Sequence, residues 1–251
     1  MSGHSKWATI KHKKGALDAK RGKLFTKLIK ELTVAARMGG GDVSGNPRLR
    51  KAISDAKGQH MPADTIQRAV KRGTGELAGE SIDEVVYEGT GPGGTLILVE
   101  AMTDNRNRTV AEIRKIFERN NGLLGGGGTA GWAFERKGQI EILKSAASED
   151  QLMDLAIGAG ADDYEDNGET WLVTTPPDAL MRIVDAIEAS KIAVKESSLA
   201  YLPKAKKPIE GREAEIALNL LEALDDHDDV QNVFADFVIS DREAERIAAL
   251  G

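Results

Sequence analysis

The chain has no cysteine among its 251 residues, which removes disulfides and thiolate metal sites and favours a reducing cytoplasm. No apolar run approaches the roughly 18 residues that a membrane span needs, so a soluble protein without a membrane partner is expected. The basic amino-terminal stretch lacks the apolar core and small-residue cleavage site of a secretory signal. Acidic side chains are missing from GHSKWATIKHKKG, residues 3–15. Aromatic rings are scarce there too: Trp7 and Phe25 are the two in the first 72 residues, which leaves little for nucleobases to stack on and directs any grip to backbone or folded shape. The four histidines, His4, His12, His60 and His227, show neither HExxH nor any paired metal spacing, and no Ser-His-Asp set follows from the spacing. The expectation is a protein that is not an enzyme and carries no cofactor and no metal.

What the chain does have is charge, unevenly placed. Residues 1–72 hold 17 Lys or Arg against 5 Asp or Glu, leaving 17 and 35 for the remainder. A basic module joined to an acidic body is the usual footprint of nucleic-acid binding, because clustered cations attract phosphate and the acidic part stays clear of it. A solvated helical face is the plainer alternative. It leaves unexplained why the cations run from the acid-free stretch straight into the first amphipathic helix, where burial of the apolar side fixes Lys20, Arg21, Lys23 and Lys27 in space.

That helix is predicted over residues 17–38, with Leu24, Leu28, Ile29, Leu32 and Ala36 at helical spacing. Asn46 followed by Pro47 starts a second helix running to about Gly58, and Pro62 opens a third that Gly73 stops. GTGELAGES, residues 73–81, reads as a linker. Beyond it VVYEG and TLILVEAMT are strands, followed by a helix whose Thr109–Glu112 spacing fits a capping box. From Gly138 the order is β-α-β-β-α-β, the split arrangement called ferredoxin-like, with Ser148 and Gln151 as a capping pair and a turn at Asn167-Gly168. The tail offers a helix, the single strand VQNVFADFVI and a final helix, which cannot bury their apolar sides alone. The expected fold is α+β and multidomain: an N-terminal helical bundle followed by two α/β sandwich domains, one ferredoxin-like and inserted in the other. Expected bounds are 1–75, then 82–135 plus 206–251, with 136–205 as the insertion.

Several motifs invite chemistry and are weighed against plainer roles. GTGPGG, residues 89–94, matches a dinucleotide fingerprint in letters, but a strand follows it where a helix N-terminus is required, so it reads as a hairpin turn. GLLGGGGTAG, residues 122–131, lacks the lysine of a phosphate loop; a connector is expected, with close backbone approach to RNA or another domain as the alternative. DDHDD, residues 225–229, offers possible metal ligands, yet consecutive side chains diverge, which favours a solvated acidic turn. In TDNRNRT, residues 103–109, Arg106 and Arg108 are candidates for a secondary phosphate contact, while Asn107 or Thr109 is the expected cap. Trp132 and Trp171 fall in strand patterns and are expected in the core.

The segments GHSKWATIKHKKGALDAKRGKLFTKLIKEL, AKGQHMPADTIQRAVKRGTG, YEGTGPGG, TDNRNRT and the GGGG-to-Trp132 stretch, in that order and across essentially the whole chain, resemble the YebC/PmpR family. Gly41-Asp42-Val43 and Gln59-His60-Met61 depart slightly from the family's usual letters. The resemblance implies a helical domain followed by two α/β domains, and a cytoplasmic DNA-binding transcriptional regulator; mitochondrial relatives are described as translational activators and bacterial ones have been linked to the ribosome. It also implies that Lys6, Trp7, Lys11, His12, Lys13, Lys14, Lys20, Arg21 and Lys23 belong to a nucleic-acid surface, with DNA or ribosomal RNA, and through them the transcription machinery or the ribosome, as partners. A protein-interaction adaptor that binds no nucleic acid is the rival of another class.

Overall fold

The structure, a computed structural model, describes residues 17–250. Three helices lead: α1 (Leu17–Gly39), α2 (Pro47–Gly58) and α3 (Ala63–Gly73). Their apolar positions meet in a core of Leu32, Ala35, Ala36, Leu49, Ala52, Ala56, Met61, Ile66 and Ala69. Asn46 caps α2 as its sequence position predicts: its side chain accepts the Leu49 N–H at 3.0 Å and donates to the Ala35 and Gly40 carbonyls at 2.8 Å each. One buried amide thus ties the start of α2 to the end of α1.

Next come β1 (Asp83–Gly91), β2 (Thr95–Thr103), α4 (Arg106–Arg119) and the two-residue β3 (Leu123–Leu124). The glycines of residues 89–94 do make the hairpin turn: Gly91 pairs with Thr95, and Gly93 and Gly94 both sit at φ 67°, a left-handed conformation that glycine adopts at no steric cost. A second sheet is built from β4 (Phe134–Leu143), β5 (Asp163–Asn167), β6 (Thr170–Thr175) and β7 (Val194–Pro203), with α5 (Glu149–Gly158) and α6 (Leu180–Ala189) between them. Its strand order, β5-β6-β4-β7, is antiparallel throughout and is the ferredoxin-like topology. The Ser148–Gln151 capping box starts α5.

The chain then continues through β8 (Lys207–Pro208), α7 (Gly211–Asp225), β9 (Val230–Ala235), β10 (Phe237–Val238) and α8 (Asp241–Leu250). Strand β9 returns to pair antiparallel with β2, giving the first sheet the order β3-β1-β2-β9, so the ferredoxin-like unit is inserted in the other α/β unit. Helices α4 and α7 cover one face through Ile97, Val99, Ile113, Phe117, Leu220 and Leu224. The opposite face, with Leu98 and Phe234, packs on Ala130, Ala133, Phe134 and Ala200 near one end of the second sheet, where the Tyr201 and Phe234 rings meet edge to face at 5.4 Å.

Four sequence expectations change. The segment 230–239 is two strands, broken at buried Asp236, whose carboxylate accepts the Leu96 N–H at 2.8 Å; β10 leaves the sheet to pair in parallel with β8. Helix α4 begins at Arg106 with Asn105 as its cap, accepting the Arg108 N–H at 3.0 Å, while Thr109 turns inward and is buried. Trp171 is in the core at 8% exposure, but Trp132 is 67% exposed, because a short turn at Gly131–Ala133 precedes β4 and swings it out of the strand alternation. Residues 125–131 are an ordered turn closed on the Glu88 carboxylate, which accepts the Gly128, Ala130 and Gly131 N–H groups, and so do more than connect.

Candidate nucleic-acid interface

Helix α1 carries Lys23, Lys27 and Lys30, spaced four and three apart and therefore on one side of the helix. All three point at the acidic turn that follows α7. Lys23 Nζ lies 2.6 Å from Asp226 Oδ2, Lys27 Nζ 3.5 Å from Asp225 Oδ1 and Lys30 Nζ 2.5 Å from Asp229 Oδ1. Each lysine also donates to a main-chain carbonyl of the turn, those of Asp226, Asp225 and Asp228 respectively. These carbonyls lie at the negative end of α7, where cations are favoured twice over, by the carboxylates and by the helix dipole. A second tie joins bundle to body: Arg48 holds Glu31 at 2.7 Å and Glu84 of β1 at 2.6 Å. The two carboxylates, led by Glu31, raise the pKa of its guanidinium further.

Asp229 is the centre of this junction. It is 3% exposed, and its second oxygen takes the Thr109 hydroxyl at 2.5 Å and Arg108 at 3.1 Å. Burial pushes its carboxyl pKa up, but the hydrogen bonds from Lys30, Thr109 and Arg108 outweigh burial and bring it down to about 2. The expectation of a solvated acidic turn therefore holds for exposed Asp226 and Asp228 but fails for Asp229. Glu112, His227 and Asp229 bring ligand atoms within 4.8 Å of one another. Those atoms already have hydrogen-bond partners: His227 Nδ1 accepts the Asp229 N–H at 3.1 Å, which leaves Nε2 to donate to Glu112 at 2.9 Å, and the Asp229 oxygens face two cations. A third cation is disfavoured at that oxygen pair.

Around the junction lies an open cleft of about 940 Å³ between α1, the 78–82 segment, α4 and the acidic turn. Lys23, Lys30, Arg72, Arg108, Lys115 and Arg119 line it, opposed by Glu80, Asp104, Glu112, Asp226, Asp228 and Asp229. The formal charges of the cleft are thus matched, six against six.

The sequence-predicted residues divide accordingly. Lys6, Trp7, Lys11, His12, Lys13 and Lys14 lie outside the described residues. Lys20 and Arg21 lie on the first turns of α1, with side chains outside the described set. Lys23 and Lys27 are brought together, on the acidic turn. Arg106 pairs with Asp83 at 2.7 Å, and Arg108 with Asp104 as well as Asp229, so both arginines hold the body together where they stand. Sequence reasoning left Lys30 out of the candidate set and missed Asp229 and Thr109; the four-and-three spacing of Lys23, Lys27 and Lys30 was the available signal for the first. Exposed Lys57, Lys71 and Arg72 of the bundle carry no ion pair among the described residues.

A three-helix bundle followed by one α/β unit inserted in another is an architecture with known relatives. A family profile described as the TACO1/YebC N-terminal domain matches residues 5–76, and one described as the TACO1/YebC second and third domain matches residues 82–237. The chain belongs to the TACO1/YebC family. It is 55% identical, over 99% of its length and 100% of the relative's, to a probable transcriptional regulatory protein of Desulfotalea psychrophila, and 51% identical, over 98% and 100%, to one of Geobacter sulfurreducens. The crystal structure of a conserved hypothetical protein from Aquifex aeolicus superposes with a TM-score of 0.83 at 42% identity, covering 90% of this chain and 93% of that one. Among the described residues no helix is long and apolar enough to cross a membrane.

Proposed function

We propose that the protein is a nucleic-acid-binding regulator of gene expression, acting on DNA in the cytoplasm without a catalytic step. The observation that carries this reading is the charge partition: 17 cations against 5 acids in residues 1–72 of a chain that is net acidic overall. The names of its relatives support a regulatory role. In this reading residues 1–75 form the binding domain, and the α/β domains, 82–135 with 206–251 and the inserted 136–205, present an acidic surface to other macromolecules.

Lys6, Trp7, Lys11, His12, Lys13, Lys14, Lys20 and Arg21 are assigned to the phosphate-binding surface, joined by Lys57, Lys71 and Arg72. Lys23 and Lys27 are assigned a conditional part, since phosphate reaches them only in exchange for Asp226 and Asp225. Arg106 and Arg108 are a secondary contact under the same condition. Neutralising about six phosphates of a duplex gives a slope near −5 in log K against log salt. Titration of labelled duplex DNA at several salt concentrations tests the reading: a slope near zero, or unchanged affinity in K11E/K13E/K14E, rejects it. Folded ribosomal RNA in the same titration decides whether DNA is the preferred polyanion.

A further inference from the structure

The most exposed large apolar side chain of the described body is Trp132, at 67%, and it is held firmly. Its indole Nε1–H donates to the Thr129 carbonyl at 3.2 Å and its own carbonyl accepts Lys204 Nζ at 2.8 Å. The turn that presents it is pinned by the Glu88 carboxylate, which takes N–H groups of Gly128, Ala130 and Gly131 at 3.1, 2.6 and 2.8 Å. A fixed, solvent-facing indole costs little conformational entropy when a flat ligand covers it.

The neighbouring glycines add an independent observation. Gly125 is required by the fold, because a Cβ there would lie 2.2 Å from the Thr129 hydroxyl, and Gly128 sits at φ +89°. Gly126 and Gly127 have neither reason: their φ values are ordinary and a Cβ would meet nothing within 4 Å. Backbone at these two positions is open to a partner that approaches closely, while the Gly126 carbonyl, accepting from Thr129, keeps it in place. The charge nearby says which partner. Residues 121–134 contain no acid, the Glu88 carboxylate beneath them is taken up by three N–H groups, and Lys204 Nζ lies against the Trp132 carbonyl, whereas Lys206 shares a pocket with Asp163 and Glu165 and Lys207 donates to the Gly94 carbonyl. Exposed Leu123, at the start of the loop, would suit a protein partner, but an ammonium group and open backbone beside a fixed indole suit a nucleotide better.

The geometry points to a binding site for an unpaired nucleotide formed by Trp132, Gly126, Gly127 and Lys204. The base stacks on the indole, the sugar–phosphate passes over the two glycines, and the ammonium meets the phosphate. The inference rests on the chain being a nucleic-acid binder, but it uses a surface separate from the basic bundle.

The test uses the full chain with fluorescent oligouridylate, oligothymidylate and duplex DNA, in wild type, W132A and G127V. Both variants should weaken single-strand binding by about tenfold while leaving duplex affinity unchanged; G127V, where a Cβ meets nothing, should keep the thermal midpoint, and W132F, which keeps a ring but loses the Thr129 bond, separates stacking from loosening of the turn. Equal loss on both strands supports a site that reads base and phosphate without regard to the sugar; a larger loss on one strand supports the site and identifies that strand's chemistry, RNA or DNA, as its source. Wild-type-like strand binding in both variants, or absence of strand binding by a wild type that holds duplex, overturns the inference and leaves the bundle reading standing. Absence of all binding by wild type overturns both. Unchanged strand binding in W132A together with lost self-association in sedimentation makes the patch a protein interface and overturns the inference.

Discussion

Asp229 shows how one side chain can join three parts of a molecule. It sits just before β9, yet its two oxygens reach Lys30 of the bundle and Arg108 and Thr109 of α4, and Thr109 in turn lies 2.7 Å from the Thr103 hydroxyl at the end of β2. Its pKa falls from 3.8 to about 2 on folding, a difference equivalent to about 2 kcal/mol. The unfolded chain holds the proton more tightly, so this stability is fully present above pH 3.8 and is lost as pH falls through 2. Asp229→Asn should therefore lower the unfolding free energy near neutral pH and flatten its slope between those limits, as urea melts at a series of pH values would show. Asp229→Ala, which leaves Lys30 without its carboxylate, should cost about 3 kcal/mol; equal stability of D229A and wild type would mean that the junction contributes nothing. None of this was visible in DDHDD alone. Its partners stand 199, 121 and 120 positions away, and no local periodicity encodes a contact across such distances.

Elements whose signals are local were read well, and the errors follow a pattern. Asn46-Pro47 and Gly58 mark helix α2 because a cap and its helix share a few residues, and the cap does here what the pair of letters implies. Asn46→Ala should cost about 1–2 kcal/mol, measured by chemical denaturation of the full chain, and Asn46→Asp should be at least as damaging, because it keeps the oxygen that accepts the Leu49 N–H but turns a buried carboxylate oxygen towards the Ala35 and Gly40 carbonyls. The ferredoxin-like unit was legible because its order of elements admits few topologies. By contrast β8 and β10 have two residues each, too short for any period to appear. Thr109 failed as a cap because Thr and Asn serve equally well in that role, and the choice between Asn105 and Thr109 was made by buried Asp229, which draws the hydroxyl inward. The alternation of β4 does not extend back past Phe134, which is why the strand pattern around Trp132 does not bury it. The turn that exposes it depends on the Glu88 carboxylate, 42 to 43 positions away from the amides of Ala130 and Gly131. Three N–H groups more than offset the burial of that carboxylate and set its pKa below the usual value. Glu88→Gln, which keeps the size but not the charge, should speed amide exchange at Gly128, Ala130 and Gly131 about tenfold.

At the scale of the whole molecule the basic and acidic parts are partners as well as opposites. The candidate site is legible as a charge partition because composition survives without structure, but the sequence cannot reveal that Lys23 and Lys27, the candidate lysines whose side chains are described, face Asp226 and Asp225. On the proposed reading, the carboxylates and main-chain carbonyls that occupy this side of α1 would compete with a duplex for the same ammonium groups. The competition has a measurable sign. In Asp225→Asn/Asp226→Asn the two lysines lose charged partners, while Lys30 keeps Asp229 and holds the bundle in place. Lys23, 38% exposed where Lys27 is 16% exposed, then becomes available to displace a counterion, which should steepen the salt dependence of duplex binding by about 1 in the log–log slope and raise affinity at low salt. An unchanged slope would mean that nucleic acid docks elsewhere on the bundle and that α1 uses this side only to seat the helices on the body. A shallower slope would mean that the acidic turn orients the bundle for binding, because releasing it would then cost phosphate contacts instead of adding them.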